Sequence, residues 1–291
     1  MNNILALDFG GTSIKYGLYD SKGDLIGTED SLQIERYISL SEILKNIEKI
    51  IKHYRKIDGI AIAMPGNINS KEGIISQISA IPCFNNINLK HTLNEIYNLP
   101  VAIENDANCA TLAEFWIGNG NECSNIAVIT IGTGIGGGII INKELYHGSH
   151  NFSGEFGIMI TKPIGHSTYT SYGYNSSIQL IKRAAKIDEN IKNGEDFFEN
   201  LHREEIKNLY DEWIHGLSMG IFNIGISLDP DKILIGGGVS SRQIIYPEIK
   251  KYLDSFSNFK YHFVVEPCLF FNNSGKIGAV YNLLKQEGIV K

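Results

Sequence analysis

Two short stretches combine residue types that could do chemistry together. Near the N-terminus, Asp8 closes the apolar run Ile4–Leu7, a Gly10-Gly11-Thr12 turn follows, and Lys15 lies just beyond it. Ile14, Tyr16 and Leu18 alternate after the turn, so the stretch reads as a β-hairpin. Glycines at such a turn let backbone N–H groups converge into an anion-binding nest, here with a carboxylate and a cation beside it. An ordinary hairpin with glycine chosen only for its turn is the plain alternative. The second stretch is Glu104-Asn105-Asp106-Ala107-Asn108, where an apolar strand ends in polar residues and a helix begins. Asp106 is either the N-cap of that helix or a carboxylate that accepts a hydroxyl proton while Asn105 holds the neighbouring hydroxyl. A carboxylate base suits phosphoryl transfer, in which positioning outweighs proton removal.

Further glycine turns give these stretches company. Ile126–Ile131 reads as a strand, Gly132-Thr133-Gly134-Ile135-Gly136-Gly137-Gly138 as a turn, and Ile139–Asn142 as the next strand. Laid over the first hairpin without gaps, Thr130 falls opposite Asp8 and Gly132 opposite Gly10. Both hairpins open a similar α/β run, which suggests an internal duplication; chance resemblance of two glycine-rich hairpins is the alternative. Gly132, Gly134 and Gly137 match the spacing of a dinucleotide fingerprint, but that motif opens a helix, whereas Ile139-Ile140-Ile141 reads as strand. No P-loop pattern occurs, so any phosphate is expected in the hairpin turns, which could grip a polyphosphate from two sides. Gly236-Gly237-Gly238 lies between a strand and a helix, where it either bares backbone to a flat nucleoside or makes a tight connection.

The elements that must position these residues form an α/β series. The first hundred residues read β-β-β-α-β-α-β, with Ser39 and Glu42 as a capping box for the first helix and Gly59–Met64 as a buried strand closed by Pro65-Gly66. Residues 79–88 read as irregular and 148–174 as loop. Helices dominate 176–228, a strand covers 232–235, and helices are expected from about Gln243 to Phe256 and from Gly275 to about Glu287, with a strand near Phe263 between them. The 291 residues, 43% hydrophobic and 20% charged, suffice for two domains. A net charge of -6 argues against a nucleic-acid or acidic-membrane partner. No stretch is long enough to span a bilayer, and the first apolar run is too short for a signal peptide. The four cysteines, Cys83, Cys109, Cys123 and Cys268, form no CxxC pair and read as reduced thiols. A soluble cytoplasmic protein is expected.

Taken together, Asp8-Phe9-Gly10-Gly11-Thr12, Pro65-Gly66, Glu104-Asn105-Asp106-Ala107-Asn108, Gly132-Thr133-Gly134-Ile135-Gly136-Gly137, Gly154-Glu155-Phe156-Gly157 and Gly236-Gly237-Gly238 resemble the ROK family of sugar kinases, in the actin/hexokinase/heat-shock-70 superfamily. The resemblance implies a two-lobed actin-like ATPase (ribonuclease H-like) fold with duplicated α/β domains and an interdomain cleft. The expected lobes are 1–108 with 275–291, and 109–274. It further implies an ATP- and Mg2+-dependent kinase. Asp106 would be the base that activates the sugar hydroxyl, usually the 6-OH. Asp8, Gly10, Gly11, Thr12 and Lys15 would cradle the terminal phosphates, with Asp8 organising the magnesium indirectly. Thr133 and Gly134 would face them, Gly237 would lie near the adenosine, and Gly66, Asn105 and Glu155 would contact sugar hydroxyls. A homodimer is also implied.

One departure bears on metal and substrate. Most of the family carries a His after Gly-Glu-x-Gly and a C-x-C-G-x-x-G-C-x-E zinc loop; here Ile158 replaces the His and no cysteine follows in a shortened loop. His147, His150 and His166 lack cysteine partners and read as surface or capping histidines, so no structural zinc is expected. Losing the loop and its Glu leaves room at the anomeric side of the sugar, as in the zinc-less β-glucoside kinases. A β-glucoside such as cellobiose is the leading substrate, with glucose and N-acetylmannosamine as competitors. A ROK-type repressor would carry a DNA-binding domain before the hairpin, and only seven residues precede Asp8. A non-catalytic sugar or nucleotide sensor is the rival from another class.

Overall fold

The structure is a computed structural model and describes residues 1–290 apart from 36, 165–167 and 259. The chain separates into two compact units. The first comprises Met1–Ile117, His147–Phe152 and the C-terminal segment from Asn272; the second comprises Gly118–Tyr146 and Ser153–Phe271.

In the first unit, strands β1 (Ile4–Phe9), β2 (Ser13–Tyr19) and β3 (Leu25–Gln33) precede helix α1 (Leu40–His53) and strand β4 (Gly59–Met64). A small sheet of β5 (Asn67–Asn69), β6 (Ile74–Gln77) and β7 (Ile87–Asn88) follows, then α2 (Leu89–Tyr97), β8 (Val101–Asn105) and α3 (Asp106–Ile117). The second unit holds β9 (Ile126–Ile131), β10 (Ile135–Ile141), β11 (Glu144–Leu145), β12 (Ile160–Ile164), β13 (Thr168–Ser171), α4 (Ser177–Ile187), α5 (Gly194–Glu199) and α6 (Glu204–Leu228). It ends with β14 (Lys232–Gly236), α7 (Ile245–Phe256) and β15 (Val264–Pro267), after which α8 (Ser274–Gln286) returns to the first unit.

The main sheets have the orders β3-β2-β1-β4-β8 and β11-β10-β9-β14-β15. In each, the first strand pairs antiparallel with the second and parallel with the fourth of its series. The duplication read from two hairpins is therefore a duplication of whole sheets, the arrangement of the actin-like ATPase fold.

Residue alternation builds the layers of the first unit. Leu5, Leu7 and Phe9 of β1, Ile60, Ile62 and Met64 of β4, and Val101 and Ile103 of β8 share one core with Ile43, Ile47 and Ile50 of α1. The opposite face carries Ala6, Ala61, Ala63 and Ala102, all fully buried, and these small residues let helices approach closely. A Cβ on Gly59 would lie 2.8 Å from Leu283 of α8, and one on Gly278 would lie 1.7 Å from the Cys109 carbonyl of α3. Tyr281 also packs on Phe115 and Trp116. That packing puts α3 with the first unit, so the division falls after Ile117 and not after Asn108. In the second unit, Trp213, Tyr210 and Leu217 of α6 join Ile129, Ile131, Ile233 and Ile235 in one core.

Ser39 and Glu42 form the expected capping box on α1, a local device worth about 1 kcal/mol. Other boundaries shift. β10 begins at Ile135, so Gly136-Gly137-Gly138 lie inside a strand and not in a turn. The segment read as loop over 148–174 contains the antiparallel pair β12–β13, and α7 starts at Ile245.

Candidate active site

Strand register gathers the polar residues of the first unit. Asp8 lies opposite Lys15 across the hairpin and beside Ala63 of β4. Ala63 in turn lies beside Glu104, and Met64 beside Asn105. Asp8, Gly66, Asn105 and Asp106 thus come together at the C-terminal ends of three adjacent parallel strands, where open α/β sheets bind ligands. The turn between Asp8 and Lys15 is closed by the Gly10 N–H donating to the Ser13 carbonyl at 2.8 Å, and the Thr12 carbonyl accepts from Ile34 N–H at 2.8 Å. Thr12 and Lys15 are exposed. Burial pushes the Asp8 carboxyl above its ordinary range, while Lys276 and Lys15 act against that shift. Lys276, on α8, was not anticipated. It is 1% exposed and lies 3.4 Å from Glu29, but a single lysine in an apolar helix carries no local signal of that position.

Gly66 has a φ of +114°, and a Cβ there would sit 2.5 Å from the Gln77 carbonyl. The fold itself requires this glycine. Its carbonyl accepts a hydrogen bond from Asn105 Nδ2 at 3.1 Å. Asn105 Oδ1 accepts from the Ala107 and Asn108 N–H groups at 2.9 and 3.1 Å. Asn105 is therefore the cap of α3, because β8 runs two residues further than its apolar pattern. Asp106 is the first residue of the helix. It is exposed, with Oδ1 accepting from Ala107 N–H at 2.9 Å. Of the two readings of Asp106, the N-cap therefore falls to Asn105, while Asp106 is an acidic first-turn residue, which also suits the helix N-terminus.

Glu104 and His147 form a pair that no spacing in the sequence marks. Glu104 is fully buried, and its Oε2 accepts from His147 Nε2 at 2.8 Å. Its Oε1 accepts from Asn105 N–H at 2.8 Å and Asn108 Nδ2 at 3.0 Å. The Glu104 hydrogen bond raises the pKa of His147, against the opposing effect of burial. Breaking such a buried pair by removing one partner typically costs about 3–5 kcal/mol. His147 is thus no surface histidine. His150 is exposed and its carbonyl accepts from Asn67 Nδ2 at 3.2 Å; His166 lies outside the described residues.

In the second unit, Gly132, Thr133 and Gly134 form the exposed turn between β9 and β10, closed by Gly132 N–H donating to the Gly134 carbonyl at 2.9 Å. A Cβ at Gly132 or Gly134 would meet nothing within 4 Å, so packing inside the protein does not demand these glycines. Gly237 differs: its φ is +88° and a Cβ would lie 2.1 Å from the Ile131 carbonyl, so a tight connection accounts for it. The strand glycines have another partner. Phe156 would lie 2.3 Å from a Cβ on Gly137, and the Gly137 carbonyl 2.4 Å from one on Gly154. Glu155 is carried on this close-packed stretch, and desolvation pushes its carboxyl upward.

The magnesium implied by the resemblance fits the first hairpin by its donor set. One carboxylate, Asp8, stands beside a backbone turn, the pattern of a hard cation held mainly by substrate phosphates. Among the described residues, no three His, Cys, Asp or Glu side chains gather into a metal site made by protein alone.

The duplicated sheets and the polar strand ends define a chain of the actin-like ATPase superfamily. A model of the ROK family matches residues 4–287, and the chain belongs to that family. A β-glucoside kinase from Listeria monocytogenes is 36% identical over 293 residues, with 98% of each chain covered. One from Klebsiella pneumoniae is 33% identical over 287 residues, covering 96% of this chain and 95% of that one. The crystal structure of a ROK family protein from Streptococcus pneumoniae in complex with sucrose matches with a TM-score of 0.88 at 27% identity, over 98% of this chain and 99% of that one.

Proposed function

We propose that the chain is an ATP-dependent sugar kinase that phosphorylates a β-glucoside, cellobiose being the model substrate, at the 6-hydroxyl of its non-reducing glucose. The observation that carries the catalytic part is the division of labour between Asn105 and Asp106. Asn105 caps α3, and Asp106, the first residue of that helix, presents an exposed carboxylate at the strand end. Asp106 takes the proton of the attacking hydroxyl as the phosphoryl group arrives. Asn105 has one amide N–H on the Gly66 carbonyl and its second N–H left to orient a sugar hydroxyl. Gly66 and Glu155 complete the hydroxyl contacts. Gly10, Gly11, Thr12 and Lys15 hold the terminal phosphates of ATP, Thr133 and Gly134 bind the same chain of phosphates, and Gly237 lies by the adenosine. Magnesium, held through Asp8, neutralises charge on the phosphate oxygens when bound.

The β-glucoside preference is supported by the two relatives bearing that name and by the absence from this sequence of the family's cysteine loop with its sugar-contacting Glu; the sucrose complex of the streptococcal protein supports a disaccharide-sized substrate but, sucrose being an α-glucoside, not the β linkage. The same reading holds that the enzyme works as a cytoplasmic homodimer without structural zinc; stoichiometric zinc in the purified protein would contradict the last point. No helix among the described residues is long and apolar enough to cross a membrane. The test is phosphorylation of a sugar panel with ATP. Cellobiose is expected to give the highest kcat/KM. A higher value for glucose or N-acetylmannosamine would overturn the substrate, and no sugar-dependent ADP release would indicate a sensor.

A further inference from the structure

We infer that His147, acting through Glu104, is a positioning residue that fixes how Asp106 is presented to the sugar. Alternation along β8 turns Glu104 away from the α1 core and toward α3, where its side chain is fully buried. Its two oxygens make three hydrogen bonds. Two of them hold the residues on either side of Asp106: the backbone N–H of Asn105 just before it, at 2.8 Å, and the side chain of Asn108 two residues after it, at 3.0 Å. Asn108 Oδ1 is buried without a hydrogen-bond partner, so Glu104 is the polar anchor that sets this side chain's orientation. One carboxylate therefore brackets Asp106.

A buried carboxylate holds its place only when its oxygens are hydrogen-bonded. His147 supplies one of those bonds, with Nε2 2.8 Å from Glu104 Oε2, and the contact favours its protonated form. His147 also opens the stretch His147–Phe152, which belongs to the first unit although the chain on both sides belongs to the second. The ion pair thus fastens the His147–Phe152 stretch to the turn that carries Asp106, both within the first unit. Misplacement of a reacting group by about 1 Å is enough to cost on the order of a hundredfold in rate, so a partner of a base's bracket affects turnover without touching substrate.

The inference rests on Asp106 being the base, and the experiment separates the two. Steady-state cellobiose phosphorylation is measured for Asp106→Asn, His147→Ala, His147→Gln and Asn108→Ala, with circular dichroism and melting curves on each. His147→Ala is expected to lower kcat by about tenfold to a hundredfold while the ATP KM stays within about twofold. His147→Gln keeps an Nε2–H donor toward Glu104 and is expected to recover most of the loss; a purely structural role would not distinguish the two in kcat at equal folded content. Asn108→Ala, which removes the other arm of the bracket, is expected to lower kcat in the same sense and serves if His147→Ala does not fold. Unchanged kcat in folded His147→Ala or Asn108→Ala, or no recovery in His147→Gln, would overturn the inference while an inactive Asp106→Asn left the base assignment standing. Near-normal turnover of Asp106→Asn would remove the base itself.

Discussion

The two glycine hairpins occupy equivalent places in equivalent sheets, yet only one carries charge. In the first, Asp8 sits opposite Lys15; in the second, the corresponding pair is Thr130 and Gly136. The turns differ as well, since Phe9 pairs with Ile14 but Ile131 pairs with Ile135, one residue tighter. The neighbouring parallel strands end alike. Gly66 after β4 and Gly237 after β14 both have positive φ, and each would drive a Cβ into a backbone carbonyl. At the next strand the likeness stops: β8 runs into Asn105-Asp106, whereas β15 runs into Pro267 and Cys268. Duplication supplied two backbone frames of similar shape, and the ionisable chemistry sits on the first. The second uses Gly137, Gly154 and Gly157 for close packing, which brings the Glu155 stretch against β10.

Substitutions can break or sharpen that asymmetry. The largest effect is expected from Asp8→Asn, which keeps the shape but removes the carboxylate; turnover should fall by roughly two to three orders of magnitude, with a weaker apparent magnesium dependence measured by titration. An enzyme of normal kcat would show that the charged hairpin is no more than a strand pair. Lys15→Ala should raise the ATP KM by about tenfold, on the order of 1.4 kcal/mol of phosphate binding, and leave the sugar KM nearly unchanged. Equal effects on both constants would make Lys15 a surface strand residue.

On the second hairpin, effects should be smaller and should separate stability from binding. Gly137→Ala places a Cβ 2.3 Å from the Phe156 ring, and such overpacking is expected to cost about 1–3 kcal/mol, read as a lower Tm. A wild-type Tm would mean that the ring and the Val128 carbonyl, 2.6 Å from the same Cβ, both give way freely. Gly134→Ala meets no atom within 4 Å, so its stability should stay within about 0.5 kcal/mol of the parent while the ATP KM rises. If that KM does not move, the second turn does not hold the nucleotide.

The features legible in the sequence were those whose signal is local. The Ser39–Glu42 box declares its helix within four residues, and the Asp8-to-Lys15 hairpin declares its strands by alternation on either side of a glycine turn. Where distant chain sets the structure, local pattern misleads. Gly136-Gly137-Gly138 read as turn because three glycines suit one, but they belong to a strand on which Phe156 and Gly154 must lie. Asp106 could be read as a cap because the apolar run stops at Ile103, yet pairing with Met64 carries β8 on to Asn105. Glu104 and His147 are 43 residues apart, and neither has neighbours that announce the other.

The role proposed for Asp106 is to take the proton of the attacking hydroxyl. The direct measurement is turnover of Asp106→Asn beside equilibrium binding of the sugar to the same protein. Turnover is expected to fall by roughly two to four orders of magnitude with sugar binding retained; near-normal turnover would rule out Asp106 as the base.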